Sequence, residues 1–182
     1  MFRIFVALVP PATIRAALGA LGVSLPGVRW APVENLHLTL RFIGEVDSER
    51  ADAFASALER VRVEPFVLPV AGVGVFPSRG PAKVLWAGVG HGHTRLFQLR
   101  KQVDEALLAV DSALDVHNFH PHFTVGRMGE GCQAKLVRKY LELFADFEAP
   151  PFRVDQFHLL ASEFPVGRPP VYRALRSFAL SA

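Results

Sequence analysis

The 182 residues of this chain are enough for one compact domain or for two small lobes that share a core. A hydrophobic content of 51% with 20% charged residues excludes a disordered chain, and no apolar run approaches the ~20 residues of a membrane-spanning helix. The formal net charge of +3 is compatible with an anionic ligand but does not by itself indicate one.

The apolar N-terminal stretch 4–9 is too short for the core of a signal peptide and leads directly into two prolines. We therefore expect a cytoplasmic protein whose chain begins with a buried strand. The single cysteine, Cys132, excludes an internal disulfide and offers no CxxC metal or redox motif. It has no acid–base partner nearby in the sequence, so we expect it to take no part in chemistry.

Hydrophobic patterns predict the elements of the fold in chain order. Strands are predicted over residues 3–9, 36–43, 65–76, 84–89, 122–128, 152–161 and 171–180, and helices over about 10–21, 47–61, 94–110 and 133–144. Asp47 or Ser48 is expected to cap the second helix, and Thr94 the third. Because helices and strands are intermixed, the pattern favours an α+β fold with antiparallel sheets over a doubly wound one. No linker divides the chain, so we expect a single domain over residues 1–182.

One sequence pattern occurs twice, 85 residues apart. It is His-x-Thr-apolar-x-x-x-Gly-Glu, and it covers residues 37–45 and 122–130. With seven histidines and four threonines in 182 residues, about 7 × 4 / 182, or roughly 0.15, His-x-Thr pairs are expected by chance. The repeat therefore indicates two duplicated lobes, each with one copy of the pattern.

The alternation of side chains along a strand gives the two copies a chemical meaning. His37 and Thr39 project from one face, as do His122 and Thr124, while the apolar residues beside them face the core. A neutral imidazole can take a proton from water, and a protonated one can give a proton to a leaving alkoxide. Threonine hydroxyls can donate to phosphoryl oxygens. A single strand histidine is more often structural, but the matched pairs favour metal-independent phosphoester chemistry.

A basic partner for the phosphate is also expected. Strand parity nominates Arg41, two residues beyond Thr39 on the same face. Arg127 has the wrong parity with respect to Thr124, unless Gly126 introduces a bulge. The residues alone leave the choice between the two arginines open.

The remaining histidines include two clusters, within residues 117–122 and 91–93, that could be drawn as metal ligands. His120 precedes a proline, His91 and His93 lie in a glycine-rich turn, and no clearly placed carboxylate or cysteine completes a site with them or with His117. No metal is therefore expected. Surface or structural roles are expected for His91, His93, His117 and His158.

With its two motifs, the chain resembles the 2H phosphoesterases, and among them the RNA 2′,3′-cyclic phosphodiesterases, also called 2′-5′ RNA ligases. The resemblance covers nearly the whole chain. Its segments are residues 3–8, 35–46, 75–77, 84–89, 119–125, 161–164 and 172–180.

The resemblance implies a fold of two pseudo-symmetric α+β lobes, each an antiparallel sheet with flanking helices, around a central cleft. It implies His37 as proton donor, His122 as proton acceptor, and Thr39, Thr124 and Arg127 as phosphate-binding residues, with no metal or cofactor. The implied reaction opens a 2′,3′-cyclic phosphate to a 2′-phosphate, and we expect a monomer that acts on RNA termini or nucleoside 2′,3′-cyclic phosphates.

Two alternatives stay open at this point. The main activity can be 2′-5′ RNA ligation or 2′-5′ phosphodiester cleavage, or the chain can be a non-catalytic RNA- or nucleotide-binding protein. The two intact motifs argue against the last alternative, because a protein that only binds does not need both imidazoles.

Overall fold

The structure is a computed structural model that describes residues 1–91, 93–114 and 118–182. The strands of the described residues are β1 (Phe2–Leu8), β2 (Val28–Trp30), β3 (Leu38–Val46), β4 (Phe66–Phe76), β5 (Val84–Val89), β6 (His122–Met128), β7 (Glu148–Val154), β8 (Gln156–Glu163) and β9 (Val171–Ala179). The α-helices are α1 (Ala12–Gly19), α2 (Ser48–Leu58), α3 (Thr94–Leu108) and α4 (Ala134–Leu143), and a 3₁₀ turn, Val33–Asn35, precedes β3.

Antiparallel pairing joins the described strands into one nine-stranded sheet in the order β7-β4-β5-β6-β3-β1-β8-β9, with β2 paired to β6. This order is symmetrical about the contact between β6 and β3. The first half of the sheet is β3-β1-β8-β9, and the second half is β6-β5-β4-β7 with β2. The α+β class with antiparallel pairing and two pseudo-symmetric halves is confirmed.

The two halves meet at a seam where Leu38 of β3 pairs with Phe123 of β6. Both side chains are completely buried. Each of these residues stands between the histidine and the threonine of its motif, so the seam aligns the two motifs side by side. Side chains alternate along a strand, and the histidines and threonines therefore lie on the face opposite to the core. That face is called the site face below.

The other face of the sheet forms the main core with the helices. Helix α3 packs on α2 and on β3, whereas α1 contacts β7. On the second half, the ring of Tyr140 in α4 lies 5.7 Å from that of Trp30 in β2. Among the described residues, none of the helices has the length and apolar character needed to cross a bilayer.

Strand β3 carries a bulge directly after its motif threonine. Thr39 is paired with Ala7 and Arg41 with Val6, so Leu40 is an extra residue in β3. A bulge interrupts the alternation of faces. Leu40 and Arg41 are therefore both buried, and simple strand parity no longer applies beyond Leu40.

Strand β6 carries a bulge at the equivalent position. Thr124 is paired with Trp86 and Gly126 with Leu85, so Val125 is the extra residue. Val125 and Gly126 are both buried, and the next residue, Arg127, is exposed. The bulge expected near Gly126 is thus present.

The nomination of Arg41 from strand parity is wrong, because the bulge turns this residue into the core. Arg41 is 4% exposed and its guanidinium lies 3.1 Å from the Asp104 carboxylate of α3. Asp104 also accepts a hydrogen bond from Arg100, at 2.6 Å. Arg100 in turn donates to the carbonyl oxygen of Leu40, the bulge residue. This buried network fastens α3 to the bulge of β3.

Helix caps are only partly as predicted. Asp47 rather than Ser48 precedes α2, and its carboxylate accepts a hydrogen bond from the backbone nitrogen of Arg50 at 2.9 Å. The prediction that Thr94 caps α3 is wrong: His93 occupies the cap position and makes no side-chain cap bond. Thr94 is instead the first residue of the helix.

The strands of the structure differ from the predicted ones in three places. Strand β3 continues through Gly44, which has a φ of 111° and is paired with Ile4, and ends at Val46. The segment predicted as one strand over 152–161 is two strands, β7 and β8, which belong to different halves and are separated only by Asp155. Strand β2 was not predicted, since three residues are too few for a periodic pattern.

We expect Asp104→Ala to lower the free energy of unfolding by about 3 kcal/mol or more, because removing one partner of a buried ion pair leaves the other charge uncompensated. Urea denaturation measures the change. Glu105→Ala is the matched control: Glu105 is the next residue and forms an exposed pair with Lys101 at 3.8 Å. That substitution should cost less than about 1 kcal/mol. Equal losses in the two variants would contradict a stabilising role for the buried network.

Candidate active site

His37 lies immediately before β3 and is held through one of its ring nitrogens. Its Nδ1 is 2.6 Å from the carbonyl oxygen of Asn35, two residues earlier. Because a carbonyl oxygen only accepts, Nδ1 carries a proton and donates it. The titrating atom is therefore Nε2, which lies 3.1 Å from the hydroxyl oxygen of Thr39. In the neutral ring this nitrogen can accept a hydrogen bond from the hydroxyl.

His122, the first residue of β6, is held in the same way. Its Nδ1 is 2.6 Å from the carbonyl oxygen of His120, again two residues earlier. Nδ1 is the donor here too, so Nε2 is the basic nitrogen of the neutral ring. In both halves, therefore, a hydrogen bond from Nδ1 to a carbonyl oxygen orients the imidazole and leaves its Nε2 available.

Aromatic rings enclose both imidazoles. The His37 ring lies 5.0 Å from that of Phe5 and 5.0 Å, edge to face, from that of Tyr172. The His122 ring lies 4.9 Å, edge to face, from that of Phe76. These rings limit the rotation of the imidazoles and remove water from around them.

The enclosure has an electrostatic consequence. Burial is the main cause that lowers the pKa of His37 and of His122, and the hydrogen bonds to the carbonyls of Asn35 and His120 oppose it. The positive charge of Arg127 lowers the pKa of both histidines further, and charge on His122 also lowers that of His37. Both imidazoles are therefore mainly neutral near pH 7 in the absence of an anion.

Arg127 and Phe42 occupy equivalent positions in the two halves. Each follows its motif threonine by three residues, beyond the bulge, and each is exposed on the site face. The charge of Arg127 lowers the pKa of both histidines. Phe42 carries no charge; it is 63% exposed, and its ring lies 5.7 Å from that of Phe5. The site is therefore cationic on the side of the second half and aromatic on the side of the first.

The sequence-predicted residues His37, Thr39, His122, Thr124 and Arg127 all lie on the site face, at or beside the seam. The arrangement combines two imidazoles with a basic Nε2, two hydroxyls and one guanidinium. Such a set can bind a phosphate group and move protons on and off its ester oxygens.

Sequence reasoning missed several residues that hold the site together. Asn35 positions His37, and its side-chain amide also donates to the carbonyl oxygen of Pro170 at 2.6 Å, which fastens the β8–β9 connection beside His37. Tyr172 packs on His37; burial raises the pKa of its phenol and Arg127 opposes this. Asn35 had no usable signal, because it and its counterpart His120 differ in type and hold the histidines through backbone carbonyls. Tyr172 had none, because its contact depends on the order of strands in the sheet.

Of the other histidines, His91 is exposed, Nδ1 of His93 donates a hydrogen bond to the carbonyl oxygen of Gly90, and Nδ1 of His158 lies 2.8 Å from the hydroxyl oxygen of Ser177. His117 lies outside the described residues. Within the ranges that the structure describes, no group of three possible ligands among His, Cys, Asp and Glu is close enough to hold a metal ion.

Comparison with known proteins gives consistent matches. A family model described as LigT-like phosphoesterase matches residues 8–86 and 89–171. An RNA 2′,3′-cyclic phosphodiesterase from Archaeoglobus fulgidus is 38% identical over 160 residues, which cover 86% of this chain and 85% of that protein. A protein of the same name from Aeropyrum pernix is 31% identical over 164 residues, covering 90% of this chain and 91% of the relative.

Solved structures agree with these matches. E. coli LigT in apo form superposes with a TM-score of 0.80 and 27% identity, covering 100% of this chain and 98% of that one. E. coli LigT complexed with 3′-AMP superposes with a TM-score of 0.78 and 27% identity, covering 100% of this chain and 99% of the other.

We expect Arg127→Ala to raise the pKa of both His37 and His122, because the substitution removes a positive charge that disfavours their protonation. Histidine ring resonances followed by NMR during a pH titration measure the change. His158, whose pKa is lowered by burial and influenced by Asp155, serves as an internal control and should not move. Arg127→Lys, which keeps the charge, should retain most of the effect. Unchanged values for His37 and His122 in Arg127→Ala would show that the guanidinium does not act on this site.

Proposed function

This chain belongs to the LigT-like phosphoesterases, and from that premise we propose that it hydrolyses the 2′,3′-cyclic phosphate at an RNA end to a 2′-phosphate. One observation carries the proposal. The seam pair of Leu38 and Phe123 aligns two imidazoles, each with its Nδ1–H bound to a carbonyl and its Nε2 available. An acid and a base of the same kind on one face suit a reaction that both consumes and releases a proton.

In the proposed reaction His122 is the proton acceptor and His37 the proton donor. Nε2 of His122 takes a proton from a water molecule as the water oxygen bonds to phosphorus. The bond between phosphorus and the 3′-oxygen breaks, and Nε2 of His37 gives its proton to that oxygen. The product has a 3′-hydroxyl and a 2′-phosphate, and the two histidines exchange their protonation states before the next cycle.

Thr39, Thr124 and Arg127 bind the phosphate in this proposal. The two hydroxyls donate to the non-bridging oxygens, where negative charge builds up, and the guanidinium supplies a compensating charge. The bound anion also favours the protonated form of His37 and so opposes the effect of burial on its pKa. Substrate binding therefore increases the fraction of His37 that carries the proton needed for the acid step.

The proposal includes the organisation of the chain. Residues 1–182 act as one domain built from two duplicated lobes, which the matched motifs and matched bulges support. Each lobe supplies one imidazole and one hydroxyl, so one chain contains the complete set and can act as a monomer. We also propose that the chain acts in the cytoplasm.

We expect His37→Ala and His122→Ala each to reduce kcat/KM for adenosine 2′,3′-cyclic phosphate by at least about 10²-fold, since each removes an acid or a base from the reaction. Hydrolysis is followed by chromatography in excess EDTA, and the product should carry a 2′-phosphate. His91→Ala is the matched control, because His91 is an exposed histidine outside the two motifs. Full activity in either motif variant would exclude the two-histidine mechanism, and loss of wild-type activity in EDTA would point to a metal.

The lowered pKa values of the two histidines predict the pH dependence. As pH falls through the pKa of the base, the base becomes protonated and the rate drops; as pH rises through the pKa of the acid, the acid loses its proton and the rate drops again. For the free enzyme both pKa values lie below the ordinary value of 6.5. The profile of kcat/KM should therefore be bell-shaped with its maximum below about 6.5. A maximum above pH 7 would contradict this electrostatic description.

A further inference from the structure

Two arginines face each other across neighbouring strands of the second half. Arg29, the middle residue of β2, is paired directly with Arg127 of β6. Directly opposite residues in an antiparallel pair have Cβ atoms roughly 5 Å apart, and like charges at this position destabilise a sheet. Among the described residues, neither guanidinium forms an ion pair with a carboxylate. An arrangement of this kind is stabilised when anionic groups bind between or beside the two cations.

The neighbours of Arg29 place it on the site face. Val28 and Trp30 lie against the core side of β6, so close that a Cβ built on Gly126 would be 3.0 Å from each of them. Alternation along β2 then directs Arg29 to the opposite face, where it is exposed, as Arg127 is. The indole of Trp30 donates to the carbonyl oxygen of Val23 at 2.9 Å and holds β2 in this position.

Among the described residues of the first half, no comparable pair of cations without a carboxylate partner occurs at the corresponding position. At the position equivalent to Arg127 it has Phe42, and Arg3, further along the same face, is paired with Glu45 at 3.4 Å. At these matching strand positions, the positive charge without a carboxylate partner is thus on the side of β6 and β2. A nucleic-acid strand with more than one phosphate would bind with its phosphates along this side.

Under the proposed function, Arg127 binds the reacting cyclic phosphate. We propose that Arg29 binds the next phosphate of the same strand, the internucleotide phosphodiester on the 5′ side of the terminal nucleotide; this inference rests on the proposed function. A nucleoside 2′,3′-cyclic phosphate has no such group. The preferred substrate class is therefore the end of an oligonucleotide rather than a free mononucleotide.

The test compares adenosine 2′,3′-cyclic phosphate with the dinucleotide ApA that ends in a 2′,3′-cyclic phosphate, which adds the internucleotide phosphate and one adenosine on its 5′ side. Arg29→Ala should lower kcat/KM for the dinucleotide by about 10-fold, mainly through KM, the effect of one lost charge-assisted contact. The same variant should hydrolyse the mononucleotide at the wild-type rate within about 2-fold. Arg29→Lys should retain part of the preference, since it keeps the charge but not the bidentate geometry.

Arg138→Ala is the matched control, because it removes the same charge from an exposed position on α4, at the helix side of the second half. It should leave both substrates unaffected. An equal loss on both substrates in Arg29→Ala, or no loss on either, would overturn the inference. If the wild-type protein hydrolyses neither substrate, the proposed function itself fails; a wild-type protein that hydrolyses both equally well overturns only the assignment of Arg29.

Discussion

The contact on which the site depends is the pairing of Leu38 with Phe123 at the seam of the sheet. Both side chains are completely buried, so moving either strand along the other would expose apolar surface and cost several kcal/mol. A shift by one residue would also exchange the faces of the flanking histidines and threonines. The register that the core requires is thus the register that places the two imidazoles diagonally across the seam, each beside the threonine of the other motif.

The two halves share their motif and their bulge but differ in the residues around it. In the first half the second bulge residue is Arg41, which enters the core and joins Asp104 and Arg100 of α3. In the second half it is Gly126, where a side chain would collide with Trp30 and Val28 of β2. The symmetrical backbone therefore supports an asymmetrical site, because different elements cover its two halves. A cation follows the bulge on one side and an aromatic ring on the other.

Local sequence patterns were sufficient for much of this structure. Alternation identified His37, Thr39, His122 and Thr124 as residues of one face, and the apolar residues between them as core. Parity failed for Arg41, because a bulge depends on the partner strand and leaves no clear mark in a single strand. The boundary between β7 and β8, the short β2 and the contact of Tyr172 with His37 all depend on which strands become neighbours, which a local pattern does not contain.

The aromatic rings that orient the two histidines also disfavour the protonated form of one of them, His37. Aromatic packing fixes each ring but removes water, and this lowers the pKa of His37, the group proposed as the acid. Arg127, which binds the phosphate in the proposed mechanism, lowers it further. An anionic substrate reverses both effects, because it compensates the guanidinium and stabilises an imidazolium next to it. In the proposed mechanism His37 is therefore protonated to a greater extent when a phosphate is bound than in the free enzyme. The proton is then held mainly when the reaction can use it.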